Sequence, residues 1–132
     1  MKTNKHVIWD FVSRNQKRFQ ELADKVWSTP ETCYSEQNSM SAHVDELRYH
    51  GFSVTKGIAN IPTAVVGEYG SSGPIIAFLG EYDALAGLSQ KADVFQQDPI
   101  KKGANGHGCG HNLLGSASMQ AAVALRDWLK DS

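Results

Sequence analysis

The stretch TAVVGEYGSSGPIIAFLGEYDAL, residues 63–85, decides the fold class. Two apolar runs rich in β-branched residues, 63–69 and 74–79, predict two strands, and the turn sequence Gly-Ser-Ser-Gly between them predicts a hairpin. The second run is almost entirely apolar, which is typical of a strand covered on both faces. Because helices must supply that cover, we expect an α/β fold, with helices packed on a small mixed sheet.

Helical patterns flank this stretch on its N-terminal side. Apolar residues recur at three- and four-residue steps over residues 7–27, which predicts an amphipathic helix that ends before Pro30. A second helical pattern runs to Gly51, a residue suited to cap a helix at its C-terminal end. Residues 52–55 alternate in polarity and predict a short strand.

A glycine-rich segment follows, from Gly80 to His111, and predicts one long ordered loop. Loops of this length inside a compact domain are usually functional. We expect a final helix after the loop, with Asn112 as its N-cap and small residues that let it pack closely on a sheet.

Composition limits the possible functions. The chain has 132 residues and a net charge of −1, which fits a single domain over residues 1–132. It has no polybasic patch, so we expect no nucleic-acid partner. It also has no apolar stretch of the roughly 18 residues that a membrane span requires, so we expect no membrane partner and a cytoplasmic location.

The motif GHGCGHN, residues 106–112, carries the strongest chemical signal. Cys and His are the side chains that bind Zn²⁺ and similar ions most readily. Cys109 and His111 are two positions apart, so in extended backbone they would lie on one face. They also precede a predicted helix N-terminus, which favours a thiolate. We therefore expect both to be metal ligands; His107 would join them only if the backbone stays extended.

A carboxylate pair in GEYDAL, residues 80–85, follows the central apolar run. Open α/β sheets place their sites at the carboxyl ends of strands. Asp83 is therefore a candidate for the carboxylate that orients a metal-bound histidine. The alternative is a solvated loop acid or a helix cap.

Other interpretations of the glycine-rich motif remain open at this point. A Cys–His nucleophile pair is possible, although neighbours two positions apart rarely form the hydrogen bond that such a pair needs. A phosphate-binding loop is also possible, but the standard glycine patterns do not match. A disulfide between Cys33 and Cys109 is disfavoured in a chain without an export signal.

Taken together, GEYDAL and GHGCGHNLLG resemble the metal-dependent aminoacylase/carboxypeptidase-like amidohydrolases. The resemblance implies that Cys109 and His111 are metal ligands, that Asp83 orients the metal site, and that the ion is Mn²⁺ or Zn²⁺. It implies cleavage of an amide bond by a metal-activated water with a glutamate as general base. The implied substrates are N-acyl amino acids, with p-aminobenzoyl-glutamate the leading candidate, and a partner subunit is implied as well.

Two departures from that family's pattern matter. Ala86 stands where the family commonly has proline, and residues 112–132 contain no Glu, His or Cys. We therefore expect the chain to be the N-terminal part of a zinc-peptidase-like catalytic domain, nearly inactive alone, with an unpaired sheet edge. The alternative is a non-catalytic metal-binding or interaction module that lacks the general base. A third hypothesis is a thiol-dependent hydrolase centred on Cys109.

Overall fold

The computed structural model describes residues 4–131, so residues 1–3 and 132 of the expected single domain lie outside the described part. Within it, the helices and strands follow one another in this order: α1 Asn4–Trp27, α2 Gln37–Tyr49, β1 Ser53–Lys56, a 3₁₀ turn Ile58–Asn60, β2 Val65–Glu68 and α3 His111–Lys130. The predicted helices and the strands β1 and β2 are confirmed. No helix among these residues is long and apolar enough to cross a bilayer.

The core lies where α1 and α3 pack against each other and against α2. Its buried side chains come at helical spacing from all three helices, with one contribution from the residue before β1: Phe19, Leu22, Val26, Ala42, Leu47, Phe52, Met119 and Val123. Val123 is completely buried, and burying a side chain of this kind stabilises the fold by about 1.5–3 kcal/mol. The apolar spacing in the sequence of α1 therefore predicts correctly which face of the helix is buried.

The end of α2 is closed by Gly51, as the sequence predicts. Gly51 adopts φ +79°, a conformation that favours glycine. Its N–H donates to the carbonyl of Arg48 at 2.9 Å, and the N–H of Phe52 donates to the carbonyl of Leu47 at 3.0 Å. These two bonds satisfy the carbonyls of Leu47 and Arg48 in the last turn of the helix.

The sheet consists of β1 and β2 alone among the described residues, in antiparallel register from Ser53↔Glu68 to Lys56↔Val65. The predicted hairpin between residues 63–69 and 74–79 is therefore wrong. β2 turns back on β1 instead, through a connection closed by the bond from Gly57 N–H to the Ala64 carbonyl at 2.8 Å. The α/β class itself is confirmed, as three helices packed on a small two-stranded antiparallel sheet.

Residues 74–79, called here the apolar segment, have no regular secondary structure and pair with no strand of the described chain. Ile75 is 97% exposed and Leu79 is 85% exposed, so the expectation that this run is covered on both faces is wrong. The segment is joined to α3 at its end, where the Ser118 hydroxyl donates to the Leu79 carbonyl at 2.7 Å. The neighbouring strands that such a run requires do not come from residues 4–131.

The long loop between the apolar segment and α3 is confirmed, and two isolated bridges fix its course. Thr32 bridges to Ala84, and Leu85 bridges to Gly106. The second bridge has two backbone hydrogen bonds, of 2.9 and 3.0 Å. It holds the GEYDAL and GHGCGHN motifs side by side, although they lie far apart in the chain.

α3 begins two residues earlier than an Asn112 cap would place it. Gly110, at φ +76°, occupies the N-cap and the helix starts at His111. The prediction that Asn112 is the N-cap is wrong, because its side chain is buried and its amide donates to the Ala23 carbonyl of α1 at 3.3 Å. Asn112 thus ties α3 to α1 rather than capping the helix.

Candidate metal centre

The candidate site forms where the GEYDAL loop crosses the start of α3. Gly115 allows this crossing, because a Cβ on it would lie 2.5 Å from the Glu81 carbonyl oxygen. A Cβ on Gly80 would likewise lie 3.0 Å from the Gly115 Cα. The close approach of the two backbones places the carboxylates of the loop beside the first residue of the helix.

His111 lies between two carboxylates. Its Nδ1 is 2.8 Å from Asp83 Oδ1, and its Nε2 is 3.0 Å from Glu81 Oε2. The His111 side chain is 16% exposed and that of Asp83 21%, whereas that of Glu81 is 50% exposed. The imidazole and Asp83 are thus sheltered, and Glu81 forms the solvent side of the group.

The donor set of this group fits a divalent ion. The three residues each offer a ligand atom, and these atoms all lie within 4.8 Å of one another. With the Nδ1 proton donated to Asp83, the Nε2 lone pair of His111 faces Glu81 Oε2, so one ion would be bound by both atoms; a carboxylate on the other ring nitrogen is the usual arrangement at metal-bound histidines. Imidazole nitrogen and carboxylate oxygen together suit Zn²⁺ and also Mn²⁺.

The structure brings Asp83 and His111 into contact, as the sequence predicts for an orienting carboxylate and a ligand. Sequence reasoning gave no role to Glu81, although it stands two positions before Asp83. In extended backbone that spacing places two side chains on one face, which is the signal that could have identified it.

Cys109 lies outside this group of described residues, as an exposed free thiol. Cys33 is also free and exposed. The expectation of an extended backbone from Cys109 to His111 is wrong, because the Gly110 N–H donates to the His107 carbonyl at 2.9 Å and closes a turn. The role of Cys109 as a ligand stays a prediction.

The His107 side chain hydrogen-bonds to the backbone of α1, not to the carboxylates of Glu81 and Asp83. Its Nε2 lies 3.1 Å from the Val26 carbonyl, which can only accept, so Nε2 carries the proton. Burial lowers the pKa of His107; the bond to Val26 opposes that effect, the charge of His111 adds to it, and the charge of Asp83 opposes it. His107 therefore supports the loop from the side of α1.

A buried polar layer lies behind the site. The His43 imidazole lies against Gly115, and its Nδ1 donates to the Ser39 carbonyl at 2.9 Å. Burial lowers the pKa of His43, so the ring is held neutral. The Tyr82 hydroxyl donates to the Thr63 carbonyl, and burial, with a further contribution from Glu36, raises the pKa of Tyr82 to about 12. Both groups stay neutral near pH 7, so this layer acts as a fixed support.

Comparison with known proteins connects this geometry to amide-bond hydrolases. The chain is 46% identical over 123 residues to a subunit of p-aminobenzoyl-glutamate hydrolase from Escherichia coli (strain K12), a match that covers 93% of this chain and 26% of the relative. It is 31% identical over 125 residues to Xaa-Arg dipeptidase of Mus musculus, covering 83% of this chain and 24% of the relative.

A third relative, thermostable carboxypeptidase 1 of Saccharolobus solfataricus (strain ATCC 35092 / DSM 1617 / JCM 11322 / P2), is 30% identical over 122 residues, covering 82% of this chain and 30% of the relative. No protein-family model matches the chain. The chain thus spans about a quarter to a third of the length of the relatives it matches. These similarities confirm the resemblance to amidohydrolases and peptidases that the two motifs indicate.

Proposed function

We propose that the chain belongs to the metal-dependent amidohydrolases and forms the N-terminal part of their catalytic domain. The observation that carries this proposal is the position of His111, with Asp83 on one ring nitrogen and Glu81 on the other. The two carboxylates contact the imidazole at both of its ring nitrogens. This arrangement suits a histidine whose orientation must be fixed for binding a cation.

In this proposal each residue has a distinct role. His111 binds the ion through Nε2, and Asp83 fixes the orientation of the ring through Nδ1. Glu81, on the solvent side, supplies a carboxylate ligand. Cys109 supplies a thiolate from the adjacent turn, since the start of α3 stabilises negative charge there.

A divalent ion held by these residues, Mn²⁺ or Zn²⁺, would polarise an amide carbonyl and activate a water molecule for attack. The relatives' names point to amides of amino acids, so N-acyl amino acids are the proposed substrates and p-aminobenzoyl-glutamate is the leading one. Because one relative is named as a subunit of its hydrolase, we also propose a partner subunit for this chain. The general base would come from polypeptide other than residues 112–132, which contain no glutamate.

Metal binding by the purified chain tests the proposal. We expect equilibrium dialysis against Zn²⁺ or Mn²⁺, followed by elemental analysis, to give about one ion per chain at saturation. H111A should abolish this stoichiometric binding, and D83N should weaken it by about tenfold or more, because the ring loses its orienting partner.

The two cysteines provide a matched control, because both are exposed free thiols. C109S should weaken Zn²⁺ binding, whereas C33S should leave it unchanged. Stoichiometric metal retained by H111A and C109S alike, with circular dichroism showing that both variants fold, would overturn the proposal.

A further inference from the structure

Tyr82 stands between the two carboxylates of the GEYDAL loop, but its side chain makes different contacts from theirs. Glu81 and Asp83 both contact His111 at the start of α3. The half-buried Tyr82 ring instead lies against α2, and its hydroxyl donates to the Thr63 carbonyl two residues before β2. The loop is therefore attached to the body of the protein by the one side chain that lies between its two carboxylates.

His43 of α2 lies directly behind the Tyr82 ring. The two ring centroids are 4.8 Å apart and the rings are tilted by 42°, which is a favourable arrangement for aromatic rings. The same imidazole also meets α3, because its Nε2 would lie 2.8 Å from a Cβ on Gly115. One buried ring, 3% exposed, thus contacts both the loop that carries the carboxylates and the helix that carries His111.

A hydrogen bond within α2 fixes the orientation of the His43 ring. Its Nδ1 lies 2.9 Å from the Ser39 carbonyl, which can only accept, so Nδ1 carries the proton. Burial lowers the pKa of His43, so the ring is neutral near pH 7 and Nε2 is an acceptor. Because its own helix holds one ring nitrogen, the imidazole has a defined position against Tyr82 and Gly115.

The Nε2 acceptor of His43 has no hydrogen-bond partner among residues 4–131. An unpaired buried polar atom costs free energy that an apolar side chain would avoid. Core packing alone therefore does not explain a histidine at this position. What the imidazole provides is a flat ring that fits beside Gly115, together with an N–H that holds this ring in one orientation.

We propose that His43 and Tyr82 are positioning residues of the candidate metal centre. Through their ring contact they set how closely the GEYDAL loop lies on α3, and hence how far its two carboxylates lie from His111. This inference rests on the proposed function, since it assigns the residues that hold the proposed ligands in place. It goes further, because neither side chain hydrogen-bonds to a proposed ligand.

The Zn²⁺ affinity of the purified chain, measured by competition with a chromophoric chelator, gives the first test. H43N keeps a donor near the Ser39 carbonyl but removes the ring behind Tyr82. We expect it to weaken Zn²⁺ binding about fivefold, less than the loss of a direct partner of a ligand would. Y82F keeps the ring contact and loses only the bond to Thr63, so we expect a loss of about twofold. In H43N/Y82F the combined loss should be smaller than the product of the two, because both residues act through one contact.

His50 provides the matched control on the same helix. It is also buried, at 6% exposed, and its ring stacks on Phe19 of α1 with 5.6 Å between the centroids. H50N should therefore lower the stability of the chain in urea unfolding but leave Zn²⁺ affinity unchanged. A merely structural role for His43 predicts instead that H43N and H50N change Zn²⁺ affinity equally.

The metal-free chain offers a second readout. The proton that His111 Nδ1 donates to Asp83, at 2.8 Å between the heavy atoms, gives an NMR signal downfield of the amides. H43N should broaden this signal and move it upfield, because the carboxylate is no longer held in place. Y82F should do so to a smaller extent, and H50N should leave the signal unchanged.

The outcomes separate this inference from the proposed function. An unchanged His111 signal in H43N, or equal effects of H43N and H50N on Zn²⁺ affinity, would overturn the positioning role alone. If H43N does not fold, Y82F decides: an unchanged His111 signal in that variant would overturn the positioning role. A chain that binds no Zn²⁺ but shows the expected changes in the His111 signal would support the positioning of the loop and overturn the metal proposal.

Discussion

At the residue scale, Gly115 decides how closely α3 approaches the loop that carries Glu81. The position lies inside a helix, where replacing glycine by alanine normally stabilises a protein by about 1 kcal/mol. Here the added Cβ would lie 2.5 Å from the Glu81 carbonyl oxygen and 2.8 Å from His43 Nε2. Both neighbours are held, the first by the backbone of the loop and the second by its bond to Ser39.

We predict that G115A destabilises the chain by about 1–3 kcal/mol, because the overpacking outweighs the gain in helix propensity. Urea unfolding followed by circular dichroism measures this change. A117G at an exposed position of the same helix gives the reference, with a loss of about 1 kcal/mol from propensity alone. A gain in stability for G115A would contradict the close crossing of α3 and the loop.

The residues of the site were predictable from sequence to the extent that local spacing defines them. The contact between Asp83 and His111 follows from two motifs that each carry a metal-site signal. Glu81 was missed because its role depends on the direction of the loop relative to α3. The turn at His107–Gly110 was also missed, because glycines at 108 and 110 permit both extended and turned backbone.

At the element scale, the start of α2 is capped from outside the helix. Glu31 Oε1 accepts from the Asn38 N–H at 3.0 Å, and Oε2 accepts from the Ser39 N–H at 2.9 Å. Burial raises the pKa of Glu31, but these hydrogen bonds together outweigh that effect, so the pKa lies below its ordinary value of 4.5. A lowered pKa means that the ionised cap stabilises the folded state.

We predict that E31Q lowers the free energy of unfolding by about 1 kcal/mol at pH 7, as for the loss of a helix cap. The contribution is fully present above the ordinary pKa of Glu31 and is lost as the pH falls through the lower, folded-state pKa. The difference between wild type and E31Q should therefore shrink as the pH is lowered below 4.5, the ordinary pKa of Glu31. E21Q, on the exposed face of α1, should show little difference at either pH.

The helices were predictable from sequence because each buries one apolar face within this chain, and this burial produces the helical periodicity of apolar residues. The same holds for the end of α2, where Gly51 is a local signal. The pairing of strands was not predictable, because β1 and 74–79 are both possible neighbours for β2 in sequence. The β1–β2 pair is closed by the long connection that contains the 3₁₀ turn Ile58–Asn60. No local sequence pattern predicts this connection.

At the scale of the whole molecule, the apolar segment is neither buried nor paired with a strand by residues 4–131. Its large side chains are exposed, with Ile75, Ile76 and Leu79 each above 60%. Unpaired backbone with exposed apolar side chains is a known cause of association between chains.

We predict that the isolated chain self-associates as its concentration rises. Light scattering coupled to size-exclusion chromatography measures this association. The double variant I75E/L79E should shift the chain towards monomer, because it places charge on the unpaired segment. Y34S, at another exposed apolar position outside the segment, is the control. A wild-type chain that remains monomeric at millimolar concentration would contradict this prediction.

The start of α3 and the turn before it are proposed to bind a divalent cation, and this is the central claim. X-ray absorption at the zinc edge of the Zn²⁺-loaded chain tests it most directly, because sulfur at about 2.3 Å is distinguishable from nitrogen and oxygen at about 2.0–2.2 Å. We expect one sulfur with nitrogen and oxygen neighbours, and loss of the sulfur in C109S but not in C33S. A spectrum with oxygen neighbours alone, unchanged in H111A, would contradict the claim.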